Sequence, residues 1–148
     1  MKQLLIIIAA VFLTDTLYSQ MFESADSARN MAAIEEKPML LYFSGSDWCP
    51  NCLRFEKTIL HDSVFSDFVK NNIILLKADY PQRKKLSKSL VRQNDELARQ
   101  YNPHGVFPTF VLFSSDHSTF SYVEFDRQLA VDFIALLDEK IKSFPAGE

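Results

Sequence analysis

The sequence predicts an α/β sandwich in which a mixed β-sheet is flanked by helices. Three observations predict it. Short, continuous apolar runs alternate with segments of helical periodicity along most of the chain. The last two strand-like runs follow one another closely enough to form a hairpin, which adds antiparallel pairing to an otherwise parallel sheet. A Cys-x-x-Cys pair, Cys49 and Cys52, opens a helix directly after one of the buried-strand runs.

The elements follow in chain order. Met1-Lys2 precedes an apolar run, Leu4 to Leu13, and then the small and polar stretch Thr14 to Gln20. One positive charge, a short apolar core and a polar exit are the pattern of a secretory signal peptide. The run is half the roughly twenty residues a membrane-spanning helix needs; the competing reading is a buried first helix. Cleavage near Ser19 or Gln20 divides the chain into a leader, 1–20, and one domain, 21–148. Phe22 to Glu36 reads as a helix capped by Ser24, with Ala25, Ala28, Met31, Ala32 and Ile34 as its apolar stripe, stopped at Lys37-Pro38. Met39 to Phe43 has the unbroken apolarity of a strand buried on both faces. Ser44 to Asp47 is a loop.

The helix that starts at the cysteine pair carries Pro50 in its first turn, where a missing N–H costs nothing, and Leu53, Phe55, Ile59 and Leu60 at helical spacing. Ser63 to Lys70 is a second helical piece and Ile73 to Leu76 a second buried strand. A basic stretch follows with Arg83, Lys84, Lys85, Lys88 and Arg92, then a short helix from Asn94 to Tyr101 and a turn, Asn102 to Gly105. Thr109 to Phe113 and Thr119 to Phe125 are the hairpin strands, joined by Ser114 to Ser118. Arg127 to Phe144 is the last helix, with Leu129, Phe133, Leu136, Leu137 and Ile141 on one face, and Pro145 to Glu148 is a frayed tail.

A net charge of −3 gives no global field for nucleic acid, and none is expected as a partner. The two cysteines are the whole thiol inventory. A disulfide stabilises mainly by closing a loop in the unfolded chain, and a two-residue gap closes very little; the pair is better explained by chemistry than by stapling. A thiol attacks as its thiolate, and a free cysteine titrates near pH 8.5. Cys49 sits at a helix N-terminus, where unpaired N–H groups favour negative charge. Cys49 is therefore the expected attacking thiol and Cys52, one turn on, the resolving one. The alternatives are half of a metal site or an inert pair. Structural zinc takes four ligands, and no second Cys-x-x-Cys or His-x₃₋₅-His is present, so no metal and no bound cofactor are expected. Trp48 either shields the thiolate or forms a docking surface, unless it is simply a partly buried core aromatic. Pro108, at the entrance to an apolar strand, cannot donate to the sheet.

These landmarks resemble the thioredoxin superfamily. The strand–loop–WCxxC–helix block from Met39 to Leu60 and the later Gly105-Val106-Phe107-Pro108-Thr109-Phe110 block match in order and spacing. The likeness is greatest to exported bacterial thioredoxin-like proteins, on Leu41 to Cys49, Ala78 to Pro81, Asn94 to Tyr101 and Gly105 to Thr109, and it covers nearly all of the chain after the leader. The resemblance implies a three-layer thioredoxin-like sandwich with Cys49 as nucleophile, Cys52 as resolving thiol and Pro108 as a cis-proline against the disulfide. It also implies that Phe107 offers its backbone to a bound peptide and that Trp48, Pro50 and Asn51 face the substrate.

Departures from the family pattern matter too. Pro50-Asn51 stands where many relatives have Gly-Pro, and no acid occupies Leu40-Leu41-Tyr42-Phe43, so the proton acceptor for Cys52 falls to Asp47, Glu56 or water. The segment from Gly105 to Pro108 is one residue longer than the standard pattern. Asn51 brings no charge near the sulfur, which favours a reducing or intermediate poise. The basic stretch is a solvated helix face or a site for an acidic partner. His61, His104 and His117 are read as isolated and exposed, and Tyr80 and Phe55 as core.

The functional expectation is a periplasmic or secreted thiol–disulfide oxidoreductase, monomeric, leaning to reduction. It acts on cysteine-containing exported proteins and is recharged by a membrane-linked electron donor, because an oxidising compartment would otherwise hold it as the disulfide. The alternative is a non-catalytic protein-binding module with a structural disulfide.

Overall fold

The computed structural model describes residues 21–145; the leader read over residues 1–20 lies outside them. Five strands form one sheet: β1 Met21–Phe22, β2 Met39–Ser44, β3 Ile74–Asp79, β4 Thr109–Phe113 and β5 Phe120–Val123. Their spatial order is β1-β3-β2-β4-β5. The β1–β3 and β3–β2 pairs are parallel, and β2–β4 and β4–β5 are antiparallel. The helices are α1 Ala25–Glu35, α2 Pro50–Phe55, α3 Ser63–Asn72, α4 Lys88–Tyr101 and α5 Ala130–Ser143. The predicted mixed sheet flanked by helices is the observed one.

Side-chain alternation along the strands separates two cores. Leu40, Tyr42, Leu75, Phe110 and Leu112 point to one face and pack with Phe55, Ile59, Phe65, Phe133 and Leu137 from α2, its extension, α3 and α5. Leu41, Phe43, Leu76, Val111 and Phe113 point to the other and pack with Ala28, Ala32, Leu97 and Tyr101 from α1 and α4. All six residues of β2 are buried, as its unbroken apolar run requires for a central strand.

The structure corrects several boundaries. Phe22 belongs to β1, not to the first helix, which starts at Ala25 behind a Ser24 cap. A two-residue strand has no periodicity of its own; it exists because Met21 and Phe22 lie in register with Leu75 and Leu76. Ser44 ends β2 rather than starting a loop. α4 begins at Lys88, six residues before the predicted Asn94; its first turns carry only Leu90 and Val91 among polar, mostly exposed residues, which is too little to mark a helix. The hairpin strand β5 is shorter than Thr119 to Phe125, and the last helix starts at Ala130 rather than Arg127. Ile34, Leu53 and Leu129, assigned to buried stripes, are exposed instead. Leu129 is the residue before α5 and not part of its face.

Candidate active site

The site is built where β2 ends and α2 begins. Between them Gly45 to Trp48 form a tight loop in which the N–H groups of Trp48 and Cys49 both bond to the Gly45 carbonyl. Gly45 is required by close approach: a Cβ there would overlap the Trp48 indole, which lies directly on it. Cys49 is the N-cap of α2, and Pro50 follows at the first helical position. The Cys49 Sγ accepts the Cys52 N–H at 3.2 Å. One of the donors that a helix N-terminus leaves unpaired is thus aimed at this sulfur.

Cys49 and Cys52 form a disulfide with a Cα–Cα distance of 5.2 Å. Cys52 is fully buried and Cys49 is 3% exposed. The Gly45 N–H approaches the Cys52 Sγ at 3.5 Å, and the Tyr42 hydroxyl donates to the Cys52 carbonyl at 3.4 Å. Burial pushes the Tyr42 phenol far up, so it stays a donor at any ordinary pH. Past Phe55 the helix widens into one π-helical turn, Glu56–Leu60, an irregularity that recurs at functional sites.

The other predicted residues fall around this pair. Pro50 and Asn51 are exposed on the first turn of α2. The Phe107–Pro108 peptide bond is cis. Pro108 precedes Thr109, which pairs with Phe43 near the end of β2, so β4 delivers Pro108 beside the strand end from which the cysteine loop departs. Trp48 is about one-third exposed, and its ring meets Phe107 edge-on at 5.3 Å. Its indole N–H donates to the Tyr80 carbonyl at 2.6 Å. The turn before Pro108 is held by Asn102, whose side chain bonds both the N–H and the C=O of Val106 at 2.9 Å. Gly105 takes the left-handed conformation this turn needs, with φ +61°.

Of the candidate proton acceptors, Asp47 is committed elsewhere. Its carboxylate accepts the N–H groups of Gln82 and Arg83 at 2.8 and 2.7 Å. The bond from Gln82 is the main reason its carboxyl is held below the usual range. Glu56 lies one helical turn beyond Cys52. It pairs with Lys77 at 2.6 Å and accepts from the buried Ser44 hydroxyl at 3.2 Å. Lys77 and Ser44 went unrecognised in the sequence. Lys77 carried a signal: a lysine inside an otherwise apolar buried strand needs a counter-ion.

Two other readings need correction. Tyr80 is not simply core. Its ring meets Phe107 edge-on at 5.4 Å, its hydroxyl donates to the Asn94 carbonyl, and burial pushes its phenol up to about 12. His117 is half-buried rather than exposed, and burial lowers its pKa, whereas His61 and His104 are exposed as expected.

Comparison with known proteins agrees with this geometry. The family model described as thioredoxin-like matches residues 20–114. The disulfide bond reductase DsbH of Chlamydia pneumoniae is 26% identical over 121 residues, which is 82% of this chain and 72% of the relative. A solved DsbH oxidoreductase superimposes with a TM-score of 0.75 at 25% identity, covering 83% of this chain and 85% of that one. A thioredoxin from Thermus thermophilus shares the fold with a TM-score of 0.59 at 19% identity, covering 82% and 85%.

Proposed function

Because this chain belongs to the thioredoxin-like family and is a thiol–disulfide oxidoreductase, we propose that it works as a reductase of disulfides in exported proteins. The observation that carries the reading is the Cys49 sulfur at the N-cap of α2, accepting the Cys52 N–H. A sulfur in that place gains most from becoming a thiolate. The likeness to a relative named as a disulfide bond reductase supports the direction. The leader pattern at residues 1–20 supports cleavage there and a periplasmic or secreted location.

In the proposed cycle the Cys49 thiolate of the reduced protein attacks one sulfur of a substrate disulfide. The other substrate sulfur leaves as a thiolate and takes a proton. Cys52 then loses its proton and attacks the Cys49 sulfur of the mixed disulfide. The substrate departs with both cysteines as thiols, and the Cys49–Cys52 disulfide forms. Two electrons pass from protein to substrate; of the two protons the substrate thiols gain, one balances that lost by Cys52 and the other comes from solvent, which took the Cys49 proton when the thiolate formed. A membrane-linked dithiol donor restores the reduced pair by the reverse exchange. Trp48, Pro50, Asn51, Phe107 and Pro108 line the approach, with the Phe107 backbone available for short β-like pairing to the substrate chain.

Two measurements test this. The Cys52→Ser variant is expected to accumulate a mixed disulfide through Cys49, seen as a mass increase reversed by dithiothreitol; no adduct would remove Cys49 from the nucleophile's role. The reduction potential of the pair is expected near that of thioredoxin, about −270 mV. A value near −120 mV, that of a strong oxidant, would overturn the reductase reading.

Glu56 takes the Cys52 proton in this scheme. What supports it is its position one turn past Cys52 in the Ser44–Lys77 network, together with the commitment of Asp47 to Gln82 and Arg83. Glu56→Gln is expected to slow resolution of the mixed disulfide by about tenfold or more and to shift its pH profile. The alkylation rate of Cys49 reports the first step separately; if both steps slow equally, Glu56 acts on the site's structure and not on this proton.

A further inference from the structure

We infer that the basic segment from Gln82 to Arg92 docks an acidic stretch of polypeptide next to the partner's cysteine, with an apolar partner side chain seated in the cleft between this segment, Trp48 and Phe107. The inference rests on the oxidoreductase reading above and names the partner chemistry for that same site.

The charge pattern is the first observation. Arg83, Lys84, Lys85, Lys88 and Arg92 fall within ten residues that contain no acid, in a chain whose net charge is −3. All five are exposed, and none forms an ion pair with a described residue. A solvated helix face mixes signs and gains from opposite charges four residues apart. Arg92 has Glu96 four residues on, but Lys88 has only Arg92 at that spacing and Lys84 and Lys85 before it, so the sign does not alternate across Lys84 to Arg92. Lys88 is moreover the first residue of α4, whose first turn holds no acid, so cations sit at the positive end of a helix dipole. Folding alone disfavours this placement, and an anionic partner relieves it.

Placement beside the disulfide is the second observation. The Asp47 carboxylate, two residues before Cys49, holds the N–H groups of Gln82 and Arg83. Tyr80 is tied to the Trp48 indole on one side and to Asn94 of α4 on the other. The cations are therefore carried on a segment pinned to the cysteine loop. Between them lies a cleft of about 560 Å³ lined by Trp48, Tyr80, Lys84, Lys85, Val91 and Phe107. Its lining combines aromatic and aliphatic side chains with the cations Lys84 and Lys85. Asp79 and Asp95 also line it, but both Asp79 oxygens are taken by the N–H and hydroxyl of Ser46. Asp79 keeps its charge but is turned to the cysteine loop, and neither it nor Asp95 forms an ion pair with Lys84 or Lys85.

The test compares two disulfide peptides of equal length and cysteine spacing, one flanked by Asp and Glu and the other by Lys. The kcat/KM for their reduction is measured at low and at physiological ionic strength. The acidic peptide is expected to be favoured by about tenfold at low salt, because complementary charge acts mainly on encounter. The preference should shrink as salt screens it over a Debye length of about 8 Å. In K84E/K85E the preference is expected to vanish or reverse, whereas the same charge change in K70E/K142E, at the ends of α3 and α5, leaves the ratio in place. Equal rates for the two peptides, or a ratio that K70E/K142E alters as much as K84E/K85E does, would overturn the docking surface. Hydroxyethyl disulfide, small and uncharged, separates the levels of failure. If it is reduced while the peptides are not distinguished, only the docking inference falls; if neither it nor a peptide is reduced, the reductase reading falls with it.

Discussion

Cys49→Ser is expected to bring disulfide exchange down to the uncatalysed background, a loss of at least about 10³-fold. The magnitude follows from the geometry. Cys52 is fully buried beneath Tyr42 and Gly45, so it cannot substitute for Cys49 as the sulfur that meets a protein disulfide. A serine hydroxyl keeps the N-cap bond to the Cys52 N–H, since serine is a favoured cap, but it does not ionise near neutral pH. The fold should thus survive the change while the chemistry does not. Turnover of a peptide disulfide, with dithiothreitol to recharge the protein, measures the loss. Thermal unfolding beside the reduced wild-type protein shows that the variant is folded. The same variant separates the two functional classes. A docking module with a structural disulfide would hold its partners as before and would have had no exchange to lose, whereas persistent exchange in Cys49→Ser would move the attacking role away from Cys49.

Phe55→Ala is expected to cost about 3–5 kcal/mol of folding stability, against the roughly 5–15 kcal/mol that a domain commonly has. Phe55 is fully buried at the centre of the larger core. Its ring lies 4.5 Å from that of Phe110, 5.0 Å from Tyr42, 5.1 Å from Phe125, 5.3 Å from Phe133 and 6.2 Å from Phe65. These partners come from two strands, two helices and the segment after β5, so no single element can shift to fill the space. Truncation loses the burial of a large ring and leaves a cavity among other rings that are already well packed. Urea unfolding should show a lower midpoint with little change in slope. A loss under about 1 kcal/mol would mean that the core closes around the gap. Because Phe55 is three residues beyond Cys52, its packing also anchors the helix that carries both sulfurs, and Phe55→Leu should retain more activity than Phe55→Ala.

Much of this protein was legible along the chain because its signals are local. The unbroken apolar run of Met39 to Phe43 announced a central strand, and a strand buried on both faces is what β2 is. Cysteine followed by proline at a helix start announced a sulfur at an N-cap, and Cys49 is there. Ser24 announced the cap of α1, and its side chain accepts the Ser27 N–H. Each signal depends on a few neighbouring residues and on geometry that any chain must obey.

What the chain alone left open depends on residues far apart in sequence. β1 is a strand only because β3 lies beside it. Glu56 and Lys77 are 21 positions apart and meet because the π-helical turn after α2 packs against β3. Asp47 reads as a free loop carboxylate until the segment 35 residues later folds back and donates to it. Trp48, Tyr80 and Phe107 come from three separate connections and make one aromatic cluster next to the disulfide. Residue type and local spacing determined which sulfurs pair and on what kind of element they sit. Only the tertiary structure decided that Asp47 is tied to Gln82 and Arg83, that Glu56 joins Ser44 and Lys77, and that the basic segment is pinned to the cysteine loop, because each of those outcomes is a contact between segments that the local chain cannot bring together.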